Sequence, residues 1–356
     1  STPLQTLFPY TTLFRSGVAA YVYEDAEFNK CVNYGNISSS VAAGYAAGIA
    51  ATALPSKFVE CVNEGQISSG SSAGIVANCS GKSGGLIYTF DRCQNNGEVT
   101  GNGILGGITA VQGATAGNNV CHYIQCVNNG DITATATQAV SSSAMAGIAA
   151  FYSPGSVFEY CINTGFVTNT KSVYTAGIAA NNKGSATADY PVVFKGCVNT
   201  GNIASSAQQI AGIVAYITNY TSVDSCLNYG TIEQGIWGAA GICYTMAGTT
   251  SSLTNCINYG DVSVTQYNAG GIVGNCASTT AVIENCVNVG NITSTTTAEK
   301  NNYGVGGIAG SSYATMKNCF NAGKVVGKLR VGGIVGSPSY NANGARTQLV
   351  NCVNVG

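Results

Sequence analysis

The chain has 356 residues, with 14 Lys or Arg, 15 Asp or Glu and a single His, for a net charge of −1. So few and so balanced charges provide no field to steer a nucleic acid or an anionic membrane. No apolar run approaches the roughly 18 residues of a membrane span, and 47 glycines without a three-residue period exclude collagen.

In chain order, residues 1–16 (STPLQTLFPYTTLFRS) stand apart, because they carry none of the features that recur afterwards. They lack the basic start and continuous apolar stretch of a secretion signal. They resemble translated sequencing-adapter sequence of the kind found in metagenomic assemblies. The repeat begins at Gly17, in mid-unit, and also stops in mid-motif at Gly356. The expectation is a non-repeat segment at 1–16 and one repeat domain at 17–356, an internal fragment of a longer chain.

From Gly17 onward one pattern recurs, C-x-N-x-G-x-I/V. Its cysteines are Cys31, Cys61, Cys93, Cys126, Cys161, Cys197, Cys226, Cys256, Cys286, Cys319 and Cys352. Its asparagines, two residues later, are Asn33, Asn63, Asn95, Asn128, Asn163, Asn199, Asn228, Asn258, Asn288, Asn321 and Asn354. A second motif, A/G-G-I, separates successive copies, from Gly48-Ile49 to Gly333-Ile334. An apolar residue stands three before each motif cysteine, running from Phe28 through Phe58 and Phe90 to Leu349. The mean period is about 32 residues, and the length variation falls in the two gaps between the motifs.

Internal repetition overrides the two or three domains that length alone suggests. The motif segments alternate, are rich in Val, Ile, Thr and Tyr, and are bounded by Gly, Asn and Ser, which reads as short strands and turns. Fixed motifs with elastic gaps are what stacked strands joined by loops produce. The expected fold is all-β, a β-solenoid (a parallel β-helix-like stack) of ten to eleven coils with one continuous core.

Stacking at about 4.8 Å per coil turns each motif position into a column. A buried Asn can donate to one neighbour and accept from the other, forming a ladder. The motif Gly suits a corner where φ is positive or the backbone is crowded. The cysteine column has three readings: small apolar core residues, which free Cys often are; disulfides between coils, whose Cβ spacing is unfavourable; and metal ligands, of which one per coil is too few for zinc. Cys79, Cys121, Cys243 and Cys276 lie off the column. Cys121 and Cys126 flank His122 as C-H-x-x-x-C, which reads as a solvent-facing loop histidine. No metal or other cofactor is expected.

No catalytic constellation is visible. Glu98, Asp131 and Asp261 follow motif glycines but do not recur as a pair, so no acid–base couple is expected. No phosphate-binding loop, zinc-protease motif or nucleophile elbow occurs. The chain is therefore expected not to be an enzyme.

Segments such as Gly270-Gly271-Ile272-Val273-Gly274 followed by Ile283-Glu-Asn285-Cys286-Val-Asn288-Val-Gly290-Asn-Ile292 resemble GLUG-motif repeats. The likeness covers nearly all of residues 17–356, with Cys in place of the usual Ser, Ile in place of Leu and an added Asn after the Cys. It implies a non-catalytic structural or adhesive region of a large bacterial surface or secreted protein, outside the cell, with host surfaces or extracellular glycans as partners. The alternative is a ligand-binding solenoid. Hydroxyl pairs such as Thr133/Thr135, Thr168/Thr170 and Ser263/Thr265 could present an ice-binding face, but intervening coils interrupt them. Tyr34, Tyr229 and Tyr259 could stack on sugar rings. A polysaccharide-active enzyme is a further alternative that lacks its carboxylates.

Overall fold

A computed structural model describes residues 14–40, 44–81, 87–112, 119–135, 140–169, 172–206, 208–235, 237–295, 303–338 and 347–356. Among them every regular element is a β-strand, and each strand pairs in parallel with its counterpart one coil away. The solenoid expected from the repeat is the fold. One coil shows the plan: Ile257–Asn258, Val262–Val264, Asn268–Gly270, Val273–Cys276 and Val282–Glu284. These strands belong to five sheets, called here the asparagine, isoleucine, glycine, alanine and aromatic sheets. The isoleucine sheet has 10 strands and the others 11 each.

Strand alternation sends Cys61, Asn63, Ile67, Ile75 and Phe58 inward and leaves Ser68 and Glu64 outside. Each inward position then repeats up the stack. On the aromatic sheet Phe28, Phe58, Phe90, Tyr123, Phe158 and Phe194 lie nearly parallel, with centroids 4.6 to 5.3 Å apart. The column continues as Val223, Leu253, Ile283 and Met316, all buried.

The asparagines form an unbroken ladder. Asn63 Nδ2 donates to Asn95 Oδ1 at 2.8 Å, Asn95 to Asn128 at 2.7 Å, and the series runs from Asn33 to Asn354. The second hydrogen of Asn63 Nδ2 goes to Gly65 O at 2.8 Å. Both donor hydrogens are thus used, which sets the direction: each amide donates to the following coil and accepts from the preceding one.

The opposite wall explains the second motif. A Cβ on Gly74 would lie 2.3 Å from Gly107 O and 2.4 Å from Asn95 Oδ1. The A/G-G-I glycine is therefore where the asparagine amide meets the far wall. The interior is pinched there into two apolar compartments, one holding the Cys, aromatic and Gly-Ile columns and the other the motif Ile/Val column.

The motif glycine does not take a positive φ. It is the crowding alternative that holds: a Cβ on Gly97 would lie 1.9 Å from Gly65 O in the coil below. The positive φ falls instead on the residue before each cysteine, whatever its type. Lys30, Glu60, Arg92, Gln125, Tyr160, Gly196, Ser225, Asn255, Asn285, Asn318 and Asn351 all have φ between 49° and 61°. This residue turns the corner while its N–H stays in the ladder, as Glu60 N does on Asp91 O at 2.8 Å. The last four carry a second, exposed amide ladder, with Asn285 Nδ2 on Asn255 Oδ1 at 3.3 Å and Asn318 Nδ2 on Asn285 Oδ1 at 3.2 Å.

Pairing extends a little before Gly17. Phe14–Ser16 form a strand that pairs with Tyr45–Ala47, and the Phe14 ring stacks on Tyr45 at 5.8 Å. Three backbone residues with one aromatic ring suffice to extend an open sheet edge. Residues 1–13 of that segment lie outside the described residues.

Two outcomes are expected. Asn199→Ala strands both neighbouring amides and should cost about 1–3 kcal/mol, whereas Asn354→Ala, with one neighbour, should cost little; parallel chemical denaturation compares them. Gln125 holds φ 50° with its side chain exposed. Gln125→Val should lose about 1–2 kcal/mol in the same measurement, because a β-branched side chain resists the left-handed region, while Gln125→Gly should lose nothing.

Candidate functional site

The cysteines are free, and the column from Cys61 to Cys319 is buried. Most thiols of the column reach a backbone carbonyl of the preceding coil, as Cys93 Sγ donates to Phe58 O at 3.3 Å and Cys126 Sγ to Phe90 O at 3.2 Å, while Cys226 Sγ donates to Asp224 O of its own coil at 3.4 Å. Burial pushes the Cys93, Cys161 and Cys226 thiols well up, and the adjacent sulfurs of the column add to it for Cys161 and Cys226. A protonated, donating, enclosed thiol is a structural group and a poor nucleophile. Cys79, Cys121, Cys243 and Cys276 also point inward and are buried.

The C-H-x-x-x-C segment does not converge. Cys121 and Tyr123 face the core on the strand Val120–Ile124, and His122 between them faces out. His122 is thus a strand residue, not a loop residue. It borders a groove of about 230 Å³ lined by Ile87, Val120, Val157, Val193, Tyr190 and Pro191, with Asp189 at its edge. Desolvation there lowers the His122 pKa, with the Glu159 charge opposing. Among the described residues no three His, Cys, Asp or Glu side chains group as metal ligands.

Two of the acidic residues after the motif glycine, Asp131 and Asp261, are part of the scaffold. Asp131 Oδ1 accepts from Phe166 N at 2.9 Å, and Asp261 Oδ1 from Asn291 N at 2.7 Å. Asn36 and Asn202 occupy the same place and do the same to Gln66 N and Thr231 N. Glu98 stands at the same position one coil before Asp131, as the pairing Val99↔Ile132 fixes, whereas Asp131 and Asp261 are four coils apart, about 19 Å at 4.8 Å per coil.

The outer face of the isoleucine sheet carries the hydroxyls. Register places Ser38, Ser68, Thr100, Thr133 and Thr168 in one unbroken file, followed by Ala204, Glu233, Ser263, Thr293 and Val326. The neighbouring file, two residues on, is broken by Gly70 and Asn102; Thr170 lies outside the described residues. One file without a matching second is not the flat two-dimensional array that ice recognition requires.

Aromatic side chains frame this face in the coils that begin at Cys226, Cys256 and Cys286. At one edge Tyr229 and Tyr259 stack at 4.7 Å and 4°, so each ring covers a face of the other. Tyr34 shares their column but lies six coils away. At the other edge stand Trp237, Tyr267 and Tyr303, which occupy the same register position, fixed by Gly238↔Asn268 and Ala269↔Val305. Trp237 and Tyr267 are 5.9 Å apart and tilted by 49°, and Tyr267 and Tyr303 meet edge to face at 4.3 Å and 87°. Counting from the cysteines hides this trio, because a variable gap intervenes. Counting back five residues from Ile242, Ile272 and Ile308 reveals it.

Comparison with family models, curated proteins and solved structures finds no match for this chain. Among the described residues no helix is long and apolar enough to cross a membrane.

The lone histidine gives a clean readout of its environment. Its folded pKa is depressed below the unfolded value near 6.5, so the folded state binds this proton less readily. The His122 contribution to stability is therefore present above about pH 6.5 and is lost as pH falls through that value and below. An NMR titration of the single imidazole should give a midpoint below 6.5, and His122→Gln should flatten this part of the stability profile.

Proposed function

We propose that the chain is a non-catalytic, rod-like repeat region of a large surface or secreted protein, serving as a stiff stalk and an adhesive wall. The carrying observation is the continuous parallel stacking of equivalent strands from Phe14–Ser16 to Val353–Asn354, with register shifts only at Val140/Ala144 and Glu233/Gly235 among the described residues. Eleven coils at about 4.8 Å make a rod of roughly 50 Å. The titratable and nucleophilic groups support a scaffold reading: thiols bonded to corner carbonyls, carboxylates bonded to the next coil, and one histidine on an outer wall. The likeness to GLUG-motif repeats adds the extracellular setting and the adhesive role. A rod whose interior repeats and whose outer residues vary is suited to presenting contacts at chosen heights.

Beads coated with the protein, flowed over mucin, cellulose, chitin and epithelial cell layers, should be retained on at least one surface more strongly than albumin-coated beads. Retention no better than albumin on every surface would remove the adhesive reading.

A further inference from the structure

We propose that Trp237, Tyr267 and Tyr303, with Glu233, Ser263 and Thr293 on the adjoining strands, form a binding site for a neutral oligosaccharide of pyranose sugars. This inference deepens the adhesive reading by naming a site and the ligand class it takes.

The first support is positional. Other coils place Gly103, Gln208 and Leu329 where these three aromatics stand, so the trio is a local feature and not part of the repeat. The second is ring geometry. Inside the solenoid the aromatic rings lie parallel and cover each other's faces. Here the tilt of 49° and the edge-to-face angle of 87° leave ring faces uncovered by their neighbours, and Trp237 is 45% exposed. Open aromatic faces attract the weakly positive C–H faces of a pyranose, as they attract other positive edges. Tyr229 and Tyr259, locked face to face, cover one face of each ring.

The third support is that the backbone beneath the platform is pinned. Buried Tyr244 donates its hydroxyl to Trp237 O at 2.7 Å. A Cβ on Gly238 would lie 2.5 Å from the Tyr244 ring, so the residue after Trp237 must be glycine for this anchor to fit. Buried Asn268 Oδ1 accepts from Gly304 N at 2.8 Å, holding the residue after Tyr303. A site fixed before binding loses less conformational freedom on binding.

The fourth support is chemical complementarity. Glu233, Ser263 and Thr293 stand one per coil in a row beside the rings, supplying a carboxylate and two hydroxyls to sugar hydroxyls. From Cys226 to Thr295 the described residues include no Lys or Arg, while Glu233, Asp261 and Glu284 are acidic. Glu233 and Asp261 disfavour uronic, sulfated or phosphate-bearing chains over Trp237 and Tyr267, while the exposed Lys328 and Arg330 stand one coil beyond Tyr303, so the neutral ligand is placed over the Trp237–Tyr267 end of the row.

Trp237 is the only tryptophan, so its emission reports this site alone. Titration of the full chain with cellohexaose, xylohexaose, mannohexaose and chitohexaose should give a saturable shift in tryptophan emission with at least one of them. Hexagalacturonate should give none. Tyr267→Ala, which keeps the probe, should weaken binding at least about tenfold, as loss of a central aromatic contact does. Trp237→Ala, followed by calorimetry, should weaken it more. Both variants alter outer side chains, so an unchanged melting temperature verifies the fold, and Tyr34→Ala should bind as the parent does. Silence of Trp237 toward all four neutral sugars, preference for hexagalacturonate, or unaltered binding by Tyr267→Ala would each overturn the assignment. Bead retention without a Trp237 response sinks this site and leaves the adhesive reading; a Trp237 response without retention does the reverse.

Discussion

The asparagine amide is the interaction on which the rest of the coil depends. One side chain makes two donor bonds and accepts one, and it spans the interior to touch the opposite wall. Buried amides are costly unless satisfied, and here satisfaction requires a neighbour at the same position in the coils above and below. The ladder therefore ties register to chemistry: a slip of one residue would strand a row of amides as well as invert the apolar faces. It also dictates glycine on the facing wall, since a Cβ on Gly177 would lie 2.4 Å from Asn199 Oδ1 and 2.2 Å from Gly212 O. The two motifs, separated by a variable gap in sequence, are the two sides of one contact.

The corners solve a different problem. Five short strands must turn five times per coil without losing ladder bonds, and one turn is made by a single left-handed residue before each cysteine. Side chains at that residue lie at the surface, where the backbone conformation is the main demand and some also pair between coils, as Lys30 does with Glu60 and Asn285 with Asn255. Hence the variety from Lys30 to Tyr160, and the run of asparagine from Asn255 to Asn351, the non-glycine type that best accepts this conformation. In most coils the cysteine that follows presents its thiol to a carbonyl of the preceding coil. A serine hydroxyl could make the same bond.

How much was legible in the sequence follows from which positions the columns constrain. Inward positions admit few residue types, so Asn63, Phe58 and Ile75 announced strands, ladder and core. The left-handed corner escaped because its constraint is on φ and leaves little mark on residue type. Phe14–Ser16 escaped because pairing at a sheet edge requires backbone and little else. The acidic residues after the motif glycine looked like scattered carboxylates, and only the backbone N–H of the next coil shows that Asp131 and Asn202 share one task. Trp237, Tyr267 and Tyr303 were hidden by the elastic gap after the cysteine motif, although their distance to the following Gly-Ile is constant.

That last case separates scaffold from function in this architecture. A stacked fold couples each coil only to its neighbours, so an outward substitution in one coil leaves distant coils untouched. The interior must repeat because every column is a shared hydrogen-bond or packing chain. The exterior need not repeat, and a departure from repetition there has no structural cause to explain it. The hydroxyl file from Ser38 to Thr168 can be ascribed to the ordinary preference of a solvent-facing strand for Ser and Thr. Strand preference favours Tyr and Trp as well as Thr, so what marks the three large aromatics is their confinement to three adjacent coils on a backbone pinned from inside by Tyr244 and Asn268. In a solenoid, recognition is therefore to be sought where an outer column breaks its own pattern while the inner columns beneath it remain intact.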